Sequence, residues 1–433
     1  MRSTMVLRHA IMAIGYLSYA FGICAVAEKA EWSLLVYMAA DNSLASFASR
    51  NIEDMSAGLA STKGIYVLVQ WDKPNDNHTW RYLIVPGSKI DAGTLPTEMG
   101  YDPEMELASA MQWVVENYPA TNYALVLWNH GSGIEDFYPG TAQSRAPWLN
   151  IIPCPQRGIL YDDTQKTCLT NDGLRNALVK INQLIGKKLD LIAMDACLMA
   201  MVEVAYQMKD LVTFFVGSQQ TIPGNGYPYS HFIKPLSLNP AGTTPLALSI
   251  NMVDAYKTFY STQQPTTDFT LSVIDVPAIE LLKNNIDQFV AAFLACNAID
   301  ATHTKNIITT ARKASISFEM AEYIDLYSFY ANVLHQIKKA TPKSSLILPT
   351  HHNQTKPLLS PEFKKALTAI APIIEEGLKT ITKVVLHKAA GPVYAGAQGI
   401  SIYFPANGII DDTYGVTLFA QNTDWINFIQ LFS

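Results

Sequence analysis

The chain has 433 residues, of which 49% are hydrophobic and 16% charged, and this composition is typical of a folded globular protein rather than a disordered or collagen-like one. Its 31 Lys+Arg and 37 Asp+Glu give a formal net charge of −6. No basic run or basic–aromatic alternation is present, so we expect no nucleic-acid partner. The length allows one large domain or two smaller ones.

Residues 1–27 have the pattern of an export signal. Two arginines precede an uncharged stretch, and Ala25 and Ala27 form the small-x-small motif of a cleavage site just before Glu28. An uncleaved membrane anchor is the alternative, because the apolar stretch is nearly long enough to span a bilayer. We expect cleavage, a secreted or periplasmic location, and no stable membrane association of the mature chain.

Four cysteines remain after this segment, namely Cys154, Cys168, Cys197 and Cys296. Cys154 and Cys168 are close enough in sequence to form a disulfide that closes a local loop. Four cysteines are too few to stabilise so long a chain, so a hydrophobic core must do so. No CxxC or HxxxH spacing indicates zinc, and the metal site, if there is one, is unknown from the sequence.

Short apolar runs alternate with longer amphipathic ones in the first two-thirds of the chain. The predicted strands are Trp32–Ala40, Ile65–Trp71, Trp80–Val85, Tyr123–Asn129, Leu189–Asp195 and Thr213–Ser218. The predicted helices are Leu44–Leu59, Glu104–Asn117, Asn171–Ile185 and Leu198–Lys209. This alternation predicts an α/β fold with a mainly parallel sheet covered by helices on both faces.

The alternation stops in residues 134–168, which contain several prolines and glycines and no sustained period. So long an irregular segment in a compact domain is usually functional or mobile. We divide the mature chain into an α/β core at 28–276, which contains this loop, and a helix-rich part at 277–433. Two apolar runs near the end, Lys383–Lys388 and Gly399–Phe404, predict strands that return to the sheet.

Two strand ends carry residues suited to nucleophilic catalysis. His130 and Gly131 follow the strand in ALVLWNHGSG, and Cys197 follows the strand in LDLIAMDACLMA. Active sites of parallel sheets lie outside the carboxyl ends of the strands, so this imidazole and this thiol could meet there. A helix beginning at Leu198 would favour the thiolate, and His130 would accept its proton.

The same two strand ends also offer candidate donors for a tetrahedral oxyanion, namely the backbone N–H groups of Gly131 and Cys197. Taken singly, a cysteine at a strand end is more often a buried apolar residue, and a lone histidine is more often structural.

The sequence motifs around these residues resemble those of the clostripain family of cysteine peptidases, which belongs to the clan of caspases, legumains and gingipains. The resemblance is carried by WNHGSG and MDACLMAMVEVAY, and also by LLVYMAADNSL, RGILYDD, SQQTIPGNGYPY and GISIYFP in the family's order. It covers about residues 32–405 and is thinnest at 280–380. It implies a caspase-like three-layer α/β sandwich, with His130 and Cys197 as the catalytic dyad.

The resemblance further implies cleavage after arginine or lysine, and we assign that specificity to Asp195. On a strand Asp195 shares a face with Cys197, and a carboxylate at the base of a pocket would pair with a basic side chain. A carboxylate that only orders the turn is the alternative. The family often has acidic residues where this chain has Gln219 and Gln220, which weakens the expectation of basic specificity.

Other expectations from the resemblance concern the rim of the site and its cofactors. Asp41, Asn42, Gln219 and Asn225 are candidate substrate-binding residues, although Asp41 and Asn42 could equally form a polar turn that caps the next helix. No cofactor is required for the chemistry. Calcium is suggested by the family alone, because no cluster of ligands is recognisable in the sequence.

The family is activated by self-cleavage, and the 134–168 segment is suited to it. Arg145 is the first candidate for the cleaved residue, followed by Arg157 and Lys166, because a protease needs an extended and accessible backbone. The partners would be peptide or protein substrates, and the oligomeric state is unknown. Two alternatives remain: a peptidase of the same clan with non-basic specificity, and an inactive secreted binding protein on the same scaffold.

Overall fold

The computed structural model describes residues 28–134, 158–342, 359–406, 408–411 and 414–433. Its strands are β1 (Ala30–Ala39), β2 (Ile65–Asp72), β3 (Trp80–Val85), β4 (Ser88–Asp91), β5 (Ala120–Trp128), β6 (Ile159–Asp162), β7 (Thr167–Leu169), β8 (Leu189–Asp195), β9 (Val212–Gly217), β10 (Thr270–Asp275), β11 (Tyr323–Asp325), β12 (Val385–Ala390) and β13 (Ser401–Tyr403).

The helices in the same part of the chain are α1 (Ala45–Gly58), α2 (Pro103–Asn117), α3 (Asn171–Ile185), α4 (Val202–Gln207), α5 (Tyr229–Leu238), α6 (Pro245–Thr258), α7 (Ile279–Ile299), α8 (Ala301–Lys313), α9 (Leu326–Ala340), α10 (Pro361–Val384), α11 (Leu418–Asn422) and α12 (Trp425–Phe432). Among these helices, none combines the length and apolarity needed to cross a bilayer.

Local sequence signals explain several of these boundaries. The hydroxyl of Thr170 accepts a hydrogen bond from the Gly173 N–H and so caps the start of α3. The helix ends at Gly186, whose φ of 71° lies in the left-handed region that favours glycine. At α2, the Asp102 carboxylate caps the first turn and Pro103 occupies a position where no amide donor is needed.

Nine strands form one central sheet in the order β12-β10-β9-β8-β5-β1-β2-β3-β4. Neighbours from β9 to β2 are parallel, whereas β10 and β12 on one side, and β3 and β4 on the other, pair antiparallel. The mainly parallel centre brings the carboxyl ends of β1, β2, β5 and β8 to one edge.

The sheet separates two hydrophobic cores, because side chains of the central strands alternate between its faces. In β1, Leu34 and Val36 pack with α1, α5 and α6, whereas Leu35 and Tyr37 pack with α2, α3, α4 and α7. Full burial of an aliphatic side chain contributes about 1.5–3 kcal/mol to the stability of the fold. A register shift of one residue would turn the side chains of a strand to the opposite face, so packing on both faces fixes the strand register on which the site depends.

Three of the predicted elements are corrected by the structure. The helix expected from Leu198 begins at Val202. The run at 399–404 gives only β13, which pairs with β11 in a separate small sheet instead of returning to the central one. The loop predicted at 134–168 is regular at its end, where β6 and β7 form an antiparallel hairpin.

Candidate active site

The two predicted catalytic residues follow strands that are paired in register. Trp128 at the end of β5 lies opposite Asp195 at the end of β8. His130 and Cys197 each come two residues after this pair, so the sheet delivers both to the same edge. Both line one cavity of about 380 Å³, together with Ser43, Leu44, Trp128, Asn129, Asp195, Ala196, Thr221, Ile222, Pro223, Gly224 and Gly226.

Cys197 lies in a loop and not at a helix N-terminus. Residues 196–201 separate β8 from α4, and Leu198 has a left-handed φ of 66°. The expected activation by a helix dipole is therefore wrong, since the effect is confined to the first turn of a helix. Burial raises the pKa of the Cys197 thiol to about 12, although the Ile222 N–H, 3.3 Å from Sγ, opposes that rise.

His130 is buried beside the loop that follows β1. A hydrogen bond of 2.9 Å joins its Nε2 to the hydroxyl of Ser43. Burial lowers the pKa of the imidazole to about 4, so the ring is uncharged at neutral pH and can accept a proton. Ser43 was not singled out from the sequence, because a serine in a turn before a helix most often suggests a cap.

Gly131 is needed for close packing within the protein. A Cβ at this position would lie 2.6 Å from the Cys197 carbonyl oxygen and 2.9 Å from Sδ of Met199. The absence of a side chain at this position therefore lets the His130 and Cys197 loops touch. Gly131 is not among the described residues that line the cavity.

Asp195 lines the cavity and is almost completely buried, with 4% of its surface exposed. Its Oδ2 accepts hydrogen bonds from the Tyr227 N–H at 3.0 Å and from the Tyr229 hydroxyl at 2.9 Å. Burial raises the pKa of this carboxyl to about 7, and the two hydrogen bonds partly offset the rise. The site thus contains a carboxyl group that is poised to ionise beside the cysteine.

Asp41 and Asn42 are buried and are not among the described residues that line the cavity. The Asn42 amide donates to the carbonyls of Ala39 and Tyr161, and its oxygen accepts from the Leu44 N–H. Their role in substrate binding stays a prediction. Asn42 ties the loop after β1 to the β6–β7 hairpin.

Gln219 and Asn225 are also placed outside the described cavity lining. Gln219 is 1% exposed, donates to the Asp325 carboxylate and accepts from the Gly399 N–H. The Asn225 side chain accepts from Arg50 on α1. Both side chains connect separate elements of the fold, and their role in substrate binding stays a prediction.

The remaining predicted residues lie on or beside the 134–168 segment. Lys166 is exposed in the β6–β7 turn with a left-handed φ of 57°, and Cys168 is buried in β7. Arg145, Arg157 and Cys154 lie outside the described residues, so the cleavage and disulfide expectations stay predictions.

A group of three buried carboxylates, which we call the acidic cluster, lies at the same sheet edge. Asp41 follows β1, Asp72 ends β2 and Asp162 ends β6, and one oxygen of each lies within 4.8 Å of the others. Burial, reinforced by the neighbouring carboxyls, raises the pKa of Asp72 to about 9. The cluster escaped sequence analysis because its members come from three distant segments.

The comparison with known proteins agrees with this geometry. The sequence profile of the clostripain family matches residues 36–431. The chain belongs to the clostripain family. Clostripain of Hathewaya histolytica is 23% identical over 345 residues, covering 68% of this chain and 61% of clostripain, so the chain spans about three fifths of that relative's length.

Two solved structures resemble the fold of this chain over most of its length. A secreted C11 cysteine protease from Bacteroides thetaiotaomicron, bound to an irreversible peptide inhibitor, has a TM-score of 0.61 at 18% identity, covering 92% of this chain and 99% of that one. An inactive zymogen C11 protease from Parabacteroides distasonis gives 0.59 at 18% identity, with coverage of 92% and 99%. The predicted caspase-like α/β fold is confirmed.

Proposed function

We propose that this chain is a secreted cysteine endopeptidase that cleaves peptide bonds after arginine or lysine. The observation that carries the proposal is the register of β5 and β8, which places His130, Cys197 and Asp195 around one cavity. A thiol, an uncharged imidazole and a carboxyl in one cleft are the groups that acyl transfer from a basic residue requires.

The chemistry follows from these positions. The Cys197 thiol passes its proton to His130 as sulfur bonds to the scissile carbonyl carbon, and the backbone N–H groups of Cys197 and Gly131 stabilise the oxyanion. His130 then protonates the leaving amine as the C–N bond breaks, which leaves a thioester. Water, giving a proton to His130, hydrolyses the thioester and restores the thiol.

Burial of the thiol determines when Cys197 loses its proton. Because the pKa of Cys197 is raised and that of His130 is lowered, the resting pair is uncharged. The proton therefore leaves the sulfur during the attack, and His130 must be correctly oriented at that moment. The hydrogen bond between Ser43 and Nε2 of His130 serves that orientation.

Substrate selection is assigned to Asp195. An arginine or lysine side chain entering the cavity would approach a carboxyl that already has two protein donors on Oδ2. A substrate cation also favours the ionised form, since opposite charges at short range lower a carboxyl pKa.

Self-cleavage in the 134–168 segment is the proposed route of activation. A structural relative is described as an inactive zymogen, which is consistent with such a route. Lys166 is in a tight hairpin turn, whereas proteases bind substrates in extended form, so Arg145 and then Arg157 are preferred. Export by residues 1–27 is proposed because of their sequence pattern and because a relative is described as secreted.

The test uses purified mature protein and fluorogenic peptides that differ only at the residue before the cleaved bond. Arginine and lysine peptides should be hydrolysed, Cys197→Ala should abolish turnover and leave one uncut chain on a denaturing gel, and Cys296→Ala, another buried cysteine, should retain both activities. Turnover of asparagine or aspartate peptides alone would indicate a different specificity. No turnover of any peptide by the loop-cleaved, reduced, calcium-supplied wild type would support an inactive binding protein.

A further inference from the structure

Gln220 connects a loop of the C-terminal part to the loop of the catalytic cysteine. Its Oε1 accepts a hydrogen bond of 2.8 Å from the Glu319 N–H, and its Nε2 donates one of 2.8 Å to the Tyr394 hydroxyl. Its backbone carbonyl accepts from the N–H of Leu198, the residue after the cysteine, at 3.2 Å. The loop between α8 and β11, which contains Glu319, is therefore held next to the proposed active site.

The charge of Glu319 also acts on the catalytic thiol. Burial is the main cause of the raised pKa of Cys197, and the carboxylates of Asp195 and Glu319 add to it. Burial likewise raises the pKa of the Tyr394 hydroxyl, with Asp268 and Glu319 adding to the rise. Because charges act on a titratable group mainly at short range, the Glu319 carboxylate must lie close to both the thiol and the hydroxyl.

The Glu319 carboxylate is half-buried and forms no ion pair with any residue in the part of the chain that the structure describes. Glu322, in the same loop, differs in this respect. Burial lowers the pKa of Arg312, and the charge of Glu322 opposes that effect. The charge of Glu319 is therefore available to a ligand beside the cysteine.

The order of the strands indicates which part of a substrate would meet Glu319. His130 follows β5, Cys197 follows β8 and Gln220 follows β9, and these strands are neighbours in that order. His130 protonates the leaving amine, so the residues after the cleaved bond lie toward β5. The residues before the bond then lie on the other side of Cys197, toward β9 and Glu319.

We propose that Glu319 forms a second subsite, which binds a basic side chain located shortly before the cleaved arginine or lysine. The proposal rests on the proposed peptidase function, because the leaving amine defines the direction of the substrate. Extended chain advances about 3.3–3.6 Å per residue, so one of the three preceding positions should place a lysine or arginine beside Glu319. The favoured substrates are then protein segments that contain clustered basic residues.

The test measures peptide binding to the Cys197→Ala protein, so it requires no turnover. Each peptide contains one arginine at the cleaved position and either lysine or uncharged acetyl-lysine at one of the three preceding positions. Affinities are measured by competition with a fluorescent peptide. At one position lysine should bind roughly two- to fivefold more tightly than acetyl-lysine, and this ratio should decrease with added salt, because a partly exposed ion pair is screened.

The substitution Glu319→Gln, made in the same background, should bring this ratio close to one, and Glu319→Lys should favour acetyl-lysine. Glu322→Gln, which changes the other carboxylate of the loop, should leave the ratio unchanged. A lysine preference that survives in folded Glu319→Gln protein, or no preference at any of the three positions, would overturn the second subsite.

The same binding assay distinguishes failure of the second subsite from failure of the proposed specificity. Peptides with arginine or citrulline at the cleaved position, and acetyl-lysine before it, report only on the cavity that contains Asp195. Equal binding of these two peptides would reject basic specificity at the cleaved position. Discrimination between them, without any lysine preference before the cleaved residue, would reject the Glu319 subsite alone.

Discussion

Replacing Asp195 by asparagine should change specificity while preserving the fold. The asparagine oxygen can still accept from the Tyr227 N–H and the Tyr229 hydroxyl, so the floor of the cavity stays in place. What is lost is the negative charge. Leaving a buried charge of the substrate unpaired costs about 2–5 kcal/mol, which corresponds to a decrease of roughly 30- to 5,000-fold in kcat/KM for an arginine peptide.

The assay compares arginine with citrulline, which has nearly the same shape and no charge. In the wild type, the ratio of kcat/KM values should rise between pH 6 and pH 8, because burial raises the pKa of Asp195 to about 7 and only the ionised form attracts arginine. Taking the ratio cancels the titration of the thiol and the imidazole. In Asp195→Asn the ratio should be small and independent of pH.

Stability provides a second measurement on the same variant. A carboxyl whose pKa is raised by folding stabilises the native state below its unfolded pKa, near 4, and that contribution is lost as the pH rises toward 7. At pH 8, Asp195→Asn should therefore be more stable than the wild type, by up to about 4 kcal/mol. An unchanged preference for arginine over citrulline in a folded Asp195→Asn protein would refute the assignment of Asp195 to substrate selection.

Two further substitutions test the geometry around the dyad. Ser43→Ala should lower kcat by roughly 3- to 30-fold with little change in KM, because it removes one hydrogen bond that orients His130, and Ser43→Thr should restore part of the loss. A rise in KM with kcat unchanged would contradict that role. Gly131→Ala should reduce kcat at least about tenfold, since its Cβ would lie 2.6 Å from the Cys197 carbonyl oxygen, whereas Gly415→Ala, where the nearest atom is 3.8 Å away, should be neutral. Equal rates for the two glycine variants would show that the contact at 131 is unimportant.

Much of the site could be predicted from the sequence because strand ends are a local signal. The apolar runs before His130 and Cys197 identify buried strands, and parallel strands expose their carboxyl ends at one edge. The register that pairs Trp128 with Asp195 could not be predicted, since it depends on how two hydrophobic cores pack against opposite faces of the sheet.

The start of α4 shows where local pattern fails. The run after Cys197 has helical spacing, but the N–H groups of Leu198 and Ala200 donate to the carbonyls of Gln220 and Ser218 on the segment after β9. These tertiary hydrogen bonds outweigh helix propensity, which is worth only a few tenths of a kcal/mol per residue. The same limit applies to the acidic cluster, whose members are neighbours only after the strands have paired.

We propose that Cys197 and His130 act together in one cavity at the rim of the sheet. The most direct test treats the protein with an arginyl chloromethyl ketone and locates the adduct by peptide mass spectrometry. We expect a single adduct on Cys197, formed at least about a hundredfold more slowly in a folded His130→Ala variant. Modification of Cys168 or Cys296 in place of Cys197, or an unchanged rate without the imidazole, would contradict the claim.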